Sequence, residues 1–226
     1  MFYSIICLLC GDIMEKENKE LCKKCGGFCC IKSGCDYSAK DFDDLRYDAL
    51  YNILMEGKTS IVSFLTVEKN KFGREYVMPF LYLRARNTGR GAVDLLSFKT
   101  RCSLLTKNGC EYDSSKRPSG GLNLIPDEEG CHPLENPFDI VMTWKNYQKV
   151  LAKLVKRITG KSVEKQLESD IEKLFSDILN ENFENVTERE KHEIGPLVKK
   201  LSHLYPDILH KSVSKKQSSE IILQKK

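Results

Sequence analysis

The sequence predicts an α+β fold, in which cysteine-rich loops, one helix and a small antiparallel sheet are followed by a helical C-terminal unit. Three observations lead to this prediction. Eight of the ten cysteines fall between residues 22 and 131, in two clusters. Apolar residues alternate with polar ones in the middle of the chain, which is typical of strands. Beyond Pro137 no cysteine remains, and apolar residues recur at steps of three and four, which is typical of amphipathic helices.

Residues 1–14 are interpreted as a leader or as a mis-assigned start. The apolar run from Phe2 to Leu9 is about half as long as a bilayer span. It has no basic residue before it and no small-residue cleavage site after it, so neither a transmembrane helix nor a signal peptide is predicted. If translation begins at Met14, Cys7 and Cys10 do not belong to the protein. Without an export signal we expect a cytoplasmic protein, where clustered thiols bind metals or react more often than they form disulfides.

The charge pattern does not favour a nucleic-acid or membrane partner. Thirty-six basic and 32 acidic residues give a net charge of +4, and the two signs are mixed along the chain. Basic residues between Arg84 and Arg101 are interpreted as a solvated strand face rather than an RNA-binding surface. A protein partner and the oligomeric state stay open.

The first regular elements are predicted between residues 38 and 105. Ser38 to Asp41 has the spacing of a capping box, and apolar residues from Phe42 onward predict a helix that ends at Gly57. Residues 61–67 and 75–83 alternate as two strands around a polar turn at residues 70–73, so they predict a β-hairpin. Pro79 indicates an edge position in the second strand. A third strand is predicted at about residues 93–105.

The helical unit is predicted at residues 138–210, after a cysteine-cluster domain at residues 15–137. A first helix runs from Ile140 to Ile158 and is closed by Gly160, and Ser162 starts a second. A third helix is capped at residues 187–190, and the Gly195-Pro196 pair is expected to interrupt or restart it. Residues 211–226 are rich in Ser, Lys and Gln, so we expect a flexible basic tail there.

The first cysteine cluster lies in a glycine-rich segment without helical or strand periodicity, as expected of a loop wrapped around a ligand. Its members are Cys22, Cys25, Cys29, Cys30 and Cys35. The C-x-x-C spacing of the first two lets a tight turn point both sulfurs at one metal ion. Because neighbouring side chains diverge, Cys29 and Cys30 would bind two different metals, or one of them would bind a metal while the other stays outside its ligand shell.

The second cluster has a different geometry. Cys102 and Cys110 flank an Asn108-Gly109 turn signal that folds the segment back on itself. A turn at residues 126–130 precedes the dipeptide Cys131-His132. The predicted metal ligands are therefore eight thiols and one imidazole: Cys22, Cys25, Cys29, Cys30, Cys35, Cys102, Cys110, Cys131 and His132. They suffice for one site with spare thiols or for two four-coordinate sites, whereas the histidines of the helical unit receive no role.

These motifs resemble those of the YkgJ-type cysteine-cluster family, which is described as zinc- or iron-chelating. The resemblance covers residues 22–126 and rests on the order Cys22-x2-Cys25-x3-Cys29-Cys30, Cys102-x7-Cys110-x-Tyr112, Arg117-Pro118. It implies bound zinc or iron, and a role for Arg117 in donating hydrogen bonds to cysteinate sulfur or in holding its turn. The family usually has a cysteine where Gly121 stands in this chain, and Cys131 or His132 could replace that ligand.

The leading hypothesis is an intracellular protein that binds zinc or iron, the latter in a [4Fe–4S] cluster, with zinc slightly favoured because His132 is available. One alternative is a metal- or cluster-dependent enzyme, either a redox catalyst or a transferase. Some larger members of the resembled family are linked to flagellin lysine methylation, but this chain has no Gly-x-Gly-x-x-Gly nucleotide loop. A second alternative is a zinc-knuckle interaction module. The sequence does not decide whether the protein is an enzyme.

Overall fold

The computed structural model describes Lys24 and residues 35–85, 91–96, 102–106, 109–112, 117–127, 130–180 and 188–223, so the predicted leader lies outside it. The described part is a mixed α+β fold with a helical C-terminal region, which confirms the predicted class. Its strands are β1 (Thr59–Lys69), β2 (Glu75–Ala85), β3 (Leu105–Thr106), β4 (Gly109–Cys110), β5 (Leu124–Asp127) and β6 (Gly130–Pro133). Its helices are α1 (Tyr47–Met55), α2 (Ser119–Leu122), α3 (Pro137–Met142), α4 (Gln148–Thr159), α5 (Val163–Leu179), α6 (Glu188–Leu204) and α7 (Pro206–Leu223).

The predicted hairpin is confirmed. Strands β1 and β2 pair antiparallel along their whole length, from Thr59 opposite Ala85 to Lys69 opposite Glu75. In the turn, the side-chain oxygen of Asn70 accepts hydrogen bonds from the backbone N–H groups of residues 72 and 74, at 2.9 and 3.0 Å. Gly73 has φ +76°, a conformation that glycine adopts without strain. The turn therefore forms where its local chemistry predicts.

Two short segments extend the hairpin into a wider sheet. Residues 35–37 lie beside β2, where Tyr37 N–H donates to the Leu83 carbonyl at 2.9 Å and Ala85 N–H donates to the Cys35 carbonyl at 2.8 Å. Along the other edge, Val93 forms a parallel bridge with Ile61. The order across the sheet is therefore residues 35–37, β2, β1 and residues 92–94.

The third strand predicted at residues 93–105 is wrong in its extent. The described residues there form only the bridge at Val93 and the two-residue strand β3. The backbone leaves the sheet early because Leu95 N–H donates to the carboxylate of Asp170 in α5, at 3.0 Å, instead of to a strand. A tertiary contact thus replaces the expected ladder.

The predicted capping box is confirmed, but the helix after it begins later than predicted. Ser38 accepts from Lys40 N–H and its own N–H donates to Asp41, around a 3-10 turn at Ala39–Asp41. Phe42 then has extended backbone, and its ring packs on Trp144 at a centroid distance of 5.7 Å. Helix α1 starts only at Tyr47. Packing of Phe42 against the helical region takes the place of a longer helix.

The helix predicted at residues 140–158 is divided in two. Helix α3 ends at Met142, and a 3-10 turn at Lys145–Tyr147 separates it from α4. The Thr143 hydroxyl accepts a hydrogen bond from Ala39 N–H at 2.8 Å, which fixes the break against the sheet region. Gly160, at φ +72°, closes α4 and Ser162 caps α5, as predicted.

The last two helices correct two further predictions. Helix α6 runs continuously through Gly195 and Pro196, so the predicted interruption is wrong. Helix α7 extends to Leu223, where a flexible basic tail was expected from residue 211. Lys211 and Lys215 donate to Glu172 on α5, at 3.4 and 2.6 Å, so these lysines help to join the two helices. Within the described part of the chain, every helix is too short or too polar to cross a membrane.

The sheet and the helices share one buried core, which spans the two predicted units. The indole N–H of Trp144 donates to the Tyr37 carbonyl at 2.7 Å. The side-chain amide of Gln148 pairs with both backbone groups of Leu81, at 2.9 and 2.7 Å. The largest fully buried side chains come from both parts, among them Leu50, Ile61, Leu83, Trp144, Leu151 and Phe175. The helical region thereby holds the sheet edge at residues 35–37 in place.

Helix α2 touches that edge through Gly120. Gly120 N–H donates to the Asp36 carbonyl at 2.9 Å, and a Cβ at Gly120 would lie 2.6 Å from the same oxygen. Because backbone cannot move aside easily, we expect Gly120→Ala to lower the free energy of unfolding by about 1–3 kcal/mol, measured by urea denaturation.

Gly195 provides the matched control for Gly120. A Cβ at Gly195 would meet nothing within 4 Å, and the residue lies inside α6. Gly195→Ala should therefore leave the protein as stable or stabilise it by up to about 1 kcal/mol. Equal stability of the Gly120→Ala variant and the unmodified protein would rule out the close approach of α2 to residue 36.

Candidate metal centre

The predicted ligands divide into those that the structure describes and those that it does not. Cys22, Cys25, Cys29 and Cys30 lie outside the described residues. The backbone of Cys131 is placed in β6, opposite Pro126, but its side chain also lies outside the description. The remaining predicted ligands are Cys35, Cys102, Cys110 and His132, and the first three carry thiols rather than disulfides.

Cys35 is held rigidly at the edge of the sheet. Its carbonyl accepts from Ala85 N–H, and the next residue pairs with Arg84 in an antiparallel bridge. The side chain is only 5% exposed. A buried thiol on fixed backbone is suited to bind a metal without a large loss of conformational entropy.

Cys35 and Cys102 are buried in the same core as Tyr37. Burial raises the pKa of the Tyr37 hydroxyl well above its ordinary value, although a hydrogen bond with Thr59 acts in the opposite direction. Three neighbouring acidic groups raise this pKa further, namely Tyr112, Cys35 and Cys102. Cys102 is 3% exposed. Thiols from both sequence clusters therefore lie in the buried core.

Cys110 lies in the short hairpin that follows Cys102. Leu105 pairs with Cys110 and Thr106 pairs with Gly109, so the chain reverses between Thr106 and Gly109, while Asn108 of the predicted turn lies outside the described residues. Glu111 N–H continues the pairing by donating to the Leu104 carbonyl at 2.7 Å. Cys110 is partly exposed at the margin of the core.

Gly121 lies directly against Cys35, and Arg117 packs beside Gly121. A Cβ at Gly121 would be 2.7 Å from the Cys35 sulfur and 3.1 Å from Cγ of Arg117. The guanidinium of Arg117 donates to the Tyr112 carbonyl at 3.5 Å. The structure therefore brings the Arg-Pro segment to a cysteine of the first cluster, although their positions in the sequence are far apart.

His132 is placed differently from these thiols. Strands β5 and β6 pair antiparallel, which confirms the predicted turn between them, and the imidazole of His132 is exposed opposite Ile125. Nowhere in the described ranges do three Cys, His, Asp or Glu side chains group as metal ligands. A metal near Cys35 would need donors from outside those ranges. The thiols that are present are soft donors of the type that zinc and iron–sulfur clusters use.

An ion pair beside Cys35 was missed at the level of sequence. Arg84 pairs with the Asp36 carboxylate and donates to the Tyr82 hydroxyl at 2.8 Å. Its side chain is only 13% exposed, which corrects its interpretation as part of a solvated strand face. Burial alone would lower the pKa of Arg84, but Asp36 and Tyr82 outweigh it and the pKa is raised. No local pattern distinguishes this arginine from an exposed one.

Comparisons with known protein families, curated proteins and solved structures find no match for this chain. In the structure, Cys35, Arg117 and Gly121 lie close together, and Cys35 and Cys102 are buried in one core.

Proposed function

We propose that this chain is an intracellular metal-binding protein in which cysteines of both clusters hold zinc or an iron–sulfur cluster. The observation that carries the proposal is that Cys35 of the first cluster and Cys102 of the second are both buried in the core that also holds Tyr37. Structural metal sites usually take thiol ligands from two distant loops and thereby tie those loops together.

The rest of the first cluster is within reach of this place. Cys30 precedes Cys35 by five positions, and five residues span at most about 18 Å when fully extended. One cysteine of the adjacent pair can therefore approach the sulfur of Cys35. Together with Cys35, Cys102 and one further cysteine of the first cluster, it would supply four thiolates, the number that a structural zinc site or a [4Fe–4S] cluster requires.

The donor set does not favour one of the two metals. His132, which favoured zinc at the level of sequence, is exposed on β6. The buried thiols of Cys35 and Cys102 suit a four-cysteine zinc site and a cubane cluster equally well.

Metal content and absorbance test the proposal directly. The full chain is purified without oxygen, its ultraviolet–visible spectrum is recorded, and zinc, iron and sulfide are counted per chain. A broad band near about 400 nm with about four iron atoms and matching sulfide would identify a cluster and favour redox chemistry. A colourless protein with one or two zinc ions would identify a zinc site. Less than a tenth of a metal ion per chain would refute metal binding.

Removing the metal should destabilise the sheet edge more than the helices. We expect a strong chelator to lower Tm by about 10 °C, because a tightly bound ligand stabilises the folded state and each 1 kcal/mol shifts Tm by about 2–4 °C at this size. Trp144 is the only tryptophan and binds the Tyr37 carbonyl, so its fluorescence reports on the edge near Cys35. Its emission should shift to the red while most of the helical circular dichroism remains. A Tm that the chelator leaves unchanged would contradict a stabilising metal.

A further inference from the structure

The space beside the Cα atom of Gly121 is filled by the sulfur of Cys35. The 2.7 Å between that sulfur and a Cβ built at residue 121 is less than a van der Waals contact. A side chain at residue 121 and the thiol of Cys35 therefore compete for one place. Replacing Cys35 with alanine would free that place for a cysteine side chain at residue 121.

Backbone hydrogen bonds fix both sides of this contact. Gly120 N–H donates to the Asp36 carbonyl at 2.9 Å, and Gly121 N–H donates to the Pro118 carbonyl at 2.8 Å. On the other side, Ala85 N–H holds the Cys35 carbonyl. Because α2 and residues 35–37 are bonded to each other, the overlap follows from their packing.

Side chains around this place are closely packed. The side chain of Arg117 packs beside Gly121, with its Cγ and Cδ atoms 3.1 and 3.2 Å from the built Cβ. The guanidinium of Arg117 donates to the Tyr112 carbonyl, and Asp36 is engaged in its ion pair with Arg84. A side chain at residue 121 therefore has room only where the sulfur of Cys35 now lies or where Arg117 gives way.

We propose that residues 35 and 121 share a single sulfur position of the metal centre, and that Cys35 fills it in this chain. This inference rests on the proposed metal binding. It also accounts for the glycine at residue 121, where the resembled motif has a cysteine. In this arrangement, Cys131 and His132 are not needed to replace that ligand.

The experiment moves the sulfur from one segment to the other. Zinc affinity is measured by competition with a chromophoric chelator for the unmodified chain, for Cys35→Ala, and for the double variant Cys35→Ala/Gly121→Cys. We expect Cys35→Ala to lower the affinity about 100-fold, at least as much as the loss of a group outside the ligand shell. The double variant should recover to within about tenfold of the unmodified chain.

A serine at the same position is the matched control. Cys35→Ala/Gly121→Ser carries a side chain of similar size whose hydroxyl is a poor zinc ligand, so its affinity should stay as low as that of Cys35→Ala. Cys131→Ala and His132→Ala should each stay within about threefold of the unmodified chain. Circular dichroism and Tm are recorded for every variant, so that loss of folding is distinguished from loss of a ligand.

The outcomes separate the two proposals. An unmodified chain that binds no metal overturns both. If it binds metal but Cys35→Ala binds equally well, or if the Gly121→Cys double variant is no better than the serine control or does not fold, the shared position is wrong and metal binding stands. A large loss of affinity in Cys131→Ala or His132→Ala together with a small one in Cys35→Ala would assign the ligand to β6 instead.

Discussion

Asp36→Ala is expected to lower the free energy of unfolding by about 3–5 kcal/mol, because it leaves the buried guanidinium of Arg84 without its carboxylate. The pair is embedded between residues 35–37 and β2, and Arg84 also donates to Tyr82 there. Removing Asp36 exposes much of the cost of burying the guanidinium, because Tyr82 and the charge of Asp94 offset it only in part. Urea denaturation followed by circular dichroism measures this effect.

Asp44 provides the control for this variant. It forms a bidentate pair with Arg46, in which Arg46 Nη2 lies 2.6 Å from Asp44 Oδ2, but the Arg46 side chain is largely exposed to water. Because water screens that pair, Asp44→Ala should change stability far less than Asp36→Ala. The double variant Asp36→Leu/Arg84→Met should regain much of the loss, since neither charge is then buried alone. Equal effects of Asp36→Ala and Asp44→Ala would show that Arg84 is solvated.

Trp144→Ala is expected to cost about 3–5 kcal/mol and to loosen the candidate metal centre as well. The indole is 0% exposed, packs edge-on against Phe42 and Tyr147, and donates to the Tyr37 carbonyl. Its loss would leave a cavity and an unsatisfied carbonyl two residues from Cys35. Stability is measured by thermal unfolding, and loosening is measured by the rate at which a thiol reagent modifies Cys35.

A conservative substitution of Trp144 separates its packing from its hydrogen bond, and an exposed aromatic residue provides the control. Trp144→Phe keeps most of the packing but loses the donor to Tyr37, so it should cost about 1–3 kcal/mol. Phe72→Ala removes an aromatic ring that is 81% exposed at the hairpin turn, and it should leave stability within about 0.5 kcal/mol. If Trp144→Ala left thiol reactivity unchanged, the helical region would not hold the cysteine in place.

The elements that sequence predicted correctly depend on neighbouring residues. Alternation and the Asn70 turn are enough for the β1–β2 hairpin, since both act over a few positions. Gly160 and Ser162 end and start helices through their own backbone and side-chain preferences. Such local preferences can be read directly from the order of residues.

The corrected elements depend on partners far along the chain. The break after α3 is fixed by a bond from Ala39 to Thr143, 104 positions away. Helix α7 is held by Lys215 against Glu172, which outweighs the composition of the predicted tail. No periodicity in either segment encodes these contacts, because each depends on which face another element presents.

In the candidate site too, residue types could be predicted from the sequence, whereas contacts between distant residues could not. The spacing of cysteines identified Cys35, Cys102 and Cys110 as candidates, since ligand chemistry depends on residue type. Neither the buried position of Tyr37 nor the contact between Cys35 and Gly121 follows from spacing. Both arise from packing of α2 and the sheet edge, which a single sequence does not reveal.

The bond between Trp144 and Tyr37 joins residues 107 positions apart, and this separation sets an order of events during synthesis. At about 5–20 residues per second, the ribosome completes residue 144 roughly 5–20 seconds after residue 37. During that interval the nascent chain carries Cys35 without the indole that later anchors its neighbour. Contacts between such distant residues form late, because the long loop between them closes only after both have been synthesised. Until then, a reducing compartment, and not burial in the fold, keeps the early thiols from being oxidised.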